Sequence, residues 1–164
     1  MSVVKTQTKA ASSKVAASPK RKGTRPKSGS QNKCLLVGSD EAFLVGAGDV
    51  AAAAGWDCDP CPRVEESLRR AFLQRYGLAI VDVGAAEHRH TLADLFRVIT
   101  GSGGGLVLAC DRQGDTPSEL WSRENGAWLY LPGVSSWEDL THACHEAIRI
   151  NQRLREKTPW GAMV

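Results

Sequence analysis

The run Leu78-Ala-Ile-Val-Asp-Val83 is apolar except for one carboxylate, Asp82, near its end. A short, β-branched run of this kind reads as a strand buried on both faces, as a parallel sheet under helices requires. Ligands of such sheets bind beyond the carboxyl ends of the strands, which is where Asp82 would lie. An acid there is a site, the relic of one, or a partly solvated cap bonded to backbone amides in Gly84–Ala86.

Other residues invite chemistry and fit it less well. Cys58-Asp-Pro-Cys61 has the spacing of a redox or zinc pair. A reactive thiol of that kind opens a helix, where the helix dipole lowers its pKa. Here Cys58 falls inside a strand, and Pro60 and Pro62 bracket Cys61. Zinc needs four ligands, and the nearest second cluster, His142-Ala-Cys-His145, places Cys144 on the apolar face of a helix. The cysteines therefore read as structural, and His88 and His90 as solvated residues opening a helix. Val37-Gly-Ser-Asp40 is a poor phosphate loop, because Asp40 and Glu41 follow at once and repel an anion. Gly101-Ser-Gly-Gly-Gly105 leads into a strand rather than a helix, so it reads as a flexible loop. No cofactor or metal is expected.

The elements that hold these residues follow a regular rhythm. Apolar runs at Cys34–Val37, Trp56–Cys58, Leu78–Val83, Leu106–Cys110 and Ala127–Leu131 predict five strands. Between them lie helical spacings: Phe43, Ala47, Val50, Ala54; then Val64, Leu68, Phe72; then Leu92, Leu95, Phe96, Ile99. A short fourth helix is read around Glu119–Asn125, and a fifth from Trp137, Leu140, Cys144, Ala147 and Ile148. Gly55, Gly77, Gly101 and Gly126 fall where helices should end, a place that favours a left-handed glycine. Thr116-Pro-Ser-Glu119 and Ser135-Ser-Trp-Glu138 have the pattern of capping boxes. Alternating strands and helices predict a doubly wound α/β sandwich.

Charge divides the chain. Residues 1–32 hold eight basic residues and no acid, whereas the other 132 hold 13 basic and 18 acidic residues. The first segment has no aromatic and few large apolar residues, so it cannot offset chain entropy and is expected to be disordered. This divides the sequence into a tail (1–32), a folded domain (33–154) and a short C-terminal tail (155–164). Lys20, Arg21, Lys22, Arg25 and Lys27 form a cluster that suits phosphates without sequence specificity; the alternative is a solubilising linker. Ser18-Pro-Lys20 is a plausible site for a proline-directed kinase. No segment has the length of a membrane span or the pattern of a secretory signal, so a soluble cytoplasmic protein with reduced thiols is expected.

The layout resembles the receiver domain of bacterial response regulators, with a flavodoxin-like sheet of order 2-1-3-4-5. The resemblance covers residues 33–154 and rests on the βα order, on Asp82 closing the third strand and on Trp128-Leu-Tyr-Leu-Pro132 closing the fifth. It implies that Asp82 occupies the phosphoacceptor position and Trp128 that of the aromatic switch residue. It also implies two metal-binding acids after the first strand, where Gly38 and Ser39 stand, with Asp40 and Glu41 just beyond as a possible acidic pocket. The hydroxyl expected on the fourth strand is replaced by Ala109, and the lysine of the fifth by Leu131. Without those charges an acyl phosphate lacks its metal and its counter-charge.

The sequence therefore points to a degenerate receiver: a non-catalytic signalling module, not phosphorylated, acting through a separate protein partner. Trp121, Trp128 and Trp137 fall on the fourth helix, fifth strand and fifth helix, a face suited to a partner or a homodimer. The alternatives are an atypical regulator phosphorylated on Asp82, and a nucleic-acid-binding protein acting through its basic tail.

Overall fold

Side chains of the strands alternate between two apolar layers, and that alternation builds the molecule. The structure, a computed structural model, describes residues 32–101, 104–133 and 137–157. The order is β1 (Lys33–Val37), α1 (Glu41–Ala53), β2 (Asp57–Cys61), α2 (Val64–Leu73), β3 (Leu78–Asp82) and α3 (Arg89–Gly101). Then follow β4 (Leu106–Asp111), α4 (Thr116–Glu124), β5 (Leu129–Pro132) and α5 (Trp137–Glu156). The five strands pair in parallel in the order β2-β1-β3-β4-β5, as expected, with β2 and β5 at the edges.

Leu35, Val37, Ala79, Val81, Val107 and Ala109 point into one layer, with Leu92, Leu95, Phe96 and Ile99 of α3. Cys34, Leu36, Leu78, Ile80, Leu108 and Cys110 point into the other, with Phe43, Ala47 and Ala51 of α1 and Leu140, Cys144 and Ala147 of α5. Each large side chain so buried contributes roughly 1.5–3 kcal/mol. Trp56 ties the second layer together, its indole N–H donating to the Cys144 carbonyl at 3.0 Å. No helix among the described residues is long and apolar enough to cross a membrane.

Several local expectations change. β2 runs to Cys61 rather than ending at Cys58, and β5 starts at Leu129 rather than Ala127. The face of α2 that meets the sheet is Val64, Ser67 and Ala71, with Leu68 at its margin. Phe72, expected inside, is 71 % exposed and its neighbour Leu73 74 %. The small Ser67 and Ala71 let α2 lie close to the sheet, which rotates Phe72 outward. α4 is capped by Asp115 rather than Thr116: its carboxylate accepts from Ser118 N–H, and the Ser118 hydroxyl, then that N–H, hold its pKa below the usual range. Gly55 (φ 102°) and Gly126 (φ 95°) follow helices in the left-handed region; Gly77 and Gly101 do not. The Ser135 capping box and the basic tail lie outside the described residues.

Gly105, the last of the glycine run, has a packing role. A Cβ there would lie 2.6 Å from the Tyr76 carbonyl and 2.7 Å from that of Ile99, both backbone atoms. Gly105→Ala is expected to lower unfolding stability by about 1–3 kcal/mol, read from urea denaturation. An unchanged midpoint would mean that the entry to β4 yields freely.

Candidate functional site

Strand order reverses between β1 and β3, and the loops at their carboxyl ends open a crevice there. Register pairs Val37 with Val81, so Gly38 and Asp82 leave the sheet side by side. A Cβ on Gly38 would lie 3.0 Å from Phe43 Cδ1 and 3.2 Å from Asp82 Cβ. Glycine there lets the Phe43 ring cover the strand ends, and an acid at the position where the resemblance places a metal ligand would have to push that ring aside.

Asp82 closes β3, half-buried, and its Oδ1 accepts the Gly84 N–H at 3.0 Å. This is the local capping bond open to such an acid. Asp40 precedes α1 and caps it: Oδ1 accepts the Ala42 N–H at 3.0 Å, while Oδ2 pairs with the Arg112 guanidinium. Glu41, expected with it in an acidic pocket, is an exposed first-turn residue and does not line the crevice. Its charge there favours the helix N-terminus.

A third acid, Asp111, ends β4 and is only 1 % exposed. Its Oδ1 accepts the Gln113 N–H and its Oδ2 the Tyr130 hydroxyl, each at 3.0 Å. Burial, then the bond to Asp111, push the Tyr130 phenol well above its ordinary pKa. Asp82 and Asp111 flank Gly84, where a Cβ would meet their Oδ1 atoms at 3.3 and 3.5 Å. With Asp40 and Arg112 they line an open cavity of about 190 Å³. Asp111, Arg112 and Tyr130 were not singled out from sequence. The signal available was an Asp-Arg pair following an apolar run, and a tyrosine alternating with leucines.

The row beside Asp82 is apolar. Register sets Cys110 next to Asp82 and Leu131 next to Cys110, so the strand-end position neighbouring Asp82 is Cys110 rather than Ala109. Burial, and then the Asp82 charge, push the Cys110 thiol up. Leu131 stands where the resemblance places a lysine, and Arg112 is the one cation lining the cavity among the described residues.

Mg²⁺, which the resemblance implies, is held by one or two carboxylates with water completing an octahedron. Here Asp40 is paired with the Arg112 guanidinium, a cation in the same cavity, and Asp111 is buried against the Gln113 N–H and the Tyr130 hydroxyl. Among the described residues no group of three His, Cys, Asp or Glu is arranged to hold a metal. The residues present do not fit the ion.

The three tryptophans occupy separate contacts. Trp121 packs on Phe96 at 5.6 Å between ring centroids, with the Arg89 guanidinium 5.6 Å from its own ring. Trp128 packs in the layer of α1 and α5. Trp137, 38 % exposed, lies on α1, where a Cβ on Gly46 would collide with its indole. Leu120 on α4 and Leu154 on α5 are more exposed than any of them.

No family model and no curated sequence matches the chain. Its fold is that of response-regulator receiver (CheY-like) domains. A receiver domain protein from Methanospirillum hungatei superposes with TM-score 0.65 at 16 % identity, covering 74 % of this chain and 97 % of that one. One from Clostridium thermocellum gives 0.63 at 20 % identity, covering 75 % and 98 %. An atypical orphan response regulator, described as having a phosphorylation-independent regulatory mechanism, gives 0.60 at 17 % identity, covering 71 % and 95 %.

The Asp40–Arg112 pair is largely solvated and is worth no more than about 1 kcal/mol, whereas losing a helix N-cap costs roughly 0.5–2 kcal/mol. Asp40→Ala should therefore destabilise the chain more than Arg112→Ala in urea unfolding. The reverse order would make the ion pair, not the cap, the main role of Asp40.

Proposed function

We propose that the chain is a receiver-like regulatory module that performs no chemistry of its own and acts by docking a protein partner. The observation that carries this reading is the commitment of Asp40, one carboxylate oxygen to the start of α1 and the other to Arg112. Phosphoryl transfer to a carboxylate depends on positioning and on neutralising spreading charge. Asp82 has an apolar row beside it, a crowded glycine in front and acids across the cavity that are already satisfied. The orphan regulator of similar fold gives the reading a precedent, since that protein is described as phosphorylation-independent.

The partner surface we assign is the edge formed by α4, β5 and α5. Leu120 offers exposed apolar area there, with Trp121 and Trp128 each partly buried in the apolar layer on its own side of the sheet. A second reading, an atypical regulator phosphorylated on Asp82, has one observation in its favour: Arg112 lines the same cavity and is a cation. Titrating Mg²⁺ with beryllofluoride against the full chain separates the two. The expected result is no saturable change in tryptophan fluorescence and no mass added by acetyl phosphate. A saturable response lost in Asp82→Asn and weakened in Arg112→Ala would establish the second reading instead.

The basic segment we assign to polyanion contact, on its eight positive charges and absence of acids. DNA binding by the full chain should fall about a thousand-fold between 50 and 200 mM salt. It should be absent from a chain lacking residues 1–32. Equal binding by both chains would remove that role from the segment.

A further inference from the structure

The C-x-x-C spacing conceals which cysteine neighbours which. Cys58 and Cys61 are an odd number of residues apart in one strand, so their side chains leave opposite faces of the sheet: Cys58 packs in the layer of α1 and α5, Cys61 in that of α2 and α3. They cannot bond to each other across the backbone. Register places Cys58 directly beside Cys34 on β1, and in a parallel pair both thiols project to the same side. Adjacent strands lie about 4.8 Å apart, inside the Cα window of roughly 4.4–6.8 Å that a disulfide spans.

The two thiols differ in the way such a couple needs. Cys34 is fully buried in the centre of the sheet, whereas Cys58 is partly exposed on the edge strand and also meets the Gly48 carbonyl of α1 at 3.7 Å. The Cys34 thiol donates to the Leu35 carbonyl at 3.9 Å. Its nearness lowers the Cys58 pKa, while burial, and then the nearness of Cys58, raise its own. Cys58 is thus the accessible thiol, and Cys34 the protected neighbour. Cys144 is buried in the same layer on α5, its thiol pushed up to about 12 by burial and by the charge of Cys58.

We propose that Cys58 is a peroxide-sensitive site and that Cys34 resolves it, giving a reversible disulfide between β1 and β2. The Cys58 thiolate attacks one oxygen of hydrogen peroxide, the O–O bond breaks, and the leaving hydroxide takes a proton to become water. The Cys58 sulfenic acid so formed is attacked by the Cys34 sulfur. An S–S bond forms, the S–O bond breaks, and the hydroxyl leaves as water with the Cys34 proton. Two electrons pass from the two thiols to the peroxide. Cys58 lies partly exposed on the edge strand, so a mild dithiol reaches the closed bond and reopens it.

The test is peroxide treatment of the full chain, followed by alkylation of remaining thiols under denaturing conditions and peptide mass mapping. The expected product has lost two hydrogens, carries a Cys34–Cys58 cross-linked peptide, and returns to five alkylated cysteines after dithiothreitol. Cys58→Ser should remove the cross-link, and Cys34→Ala should leave a sulfenic acid on Cys58 that dimedone captures. Should Cys34→Ala fail to fold, the wild-type peptide map decides alone. A cross-link from Cys58 to Cys144, five free thiols after peroxide, or a product that dithiothreitol does not reverse would each overturn the proposal.

Discussion

The pairing of β1 with β3 is the constraint on which the rest of the molecule depends. It sets the point where strand order reverses, and with it the place where the loops diverge to open a crevice. It also brings Gly38 against Asp82 and Phe43, so that a larger residue at the end of β1 would have to displace the Phe43 ring. Core and site are therefore one packing problem. The apolar ring that completes the α1 layer takes space that a polar site at the same strand ends would need.

The acids around the crevice have been drawn into the architecture. Asp111 is a buried carboxylate, and such a group persists only when its oxygens are matched by donors, here a backbone amide and the Tyr130 hydroxyl. Asp82 holds the loop that leaves β3, and Asp40 starts α1. Each carboxylate serves the segment in which it lies, and Arg112 joins the loops after β1 and β4 across the opening. The fold tolerates this because its stability comes from the two apolar layers. Its strand-end loops are free to carry either chemistry or structure.

Asp82 and the sheet order were legible in the sequence because both follow from pattern: short buried runs, helical spacings between them, and a lone acid closing the third run. What pattern could not supply was orientation. Phe72 continues the spacing of Val64 and Leu68, yet α2 packs through Ser67 and Ala71, and residue size rather than periodicity decides that rotation. Asp115 displaced Thr116 as the cap because a carboxylate one residue earlier is the better acceptor. Tyr130 and Asp111 lie 19 residues apart, and their bond exists only once β4 and β5 align. The same holds for Cys34 and Cys58, whose adjacency depends on β2 lying outside β1.

Each edge strand carries a proline, a residue that cannot donate. Pro60 lies within β2, where the Asp57 N–H turns inward to the Asn32 carbonyl, so Pro60 falls on the outer margin and interrupts its amides. Pro132, in contrast, falls on the side of β5 that faces β4. The β2 margin is thereby a poor template for a further strand, and lateral pairing of one sheet with another would have to use the β5 side.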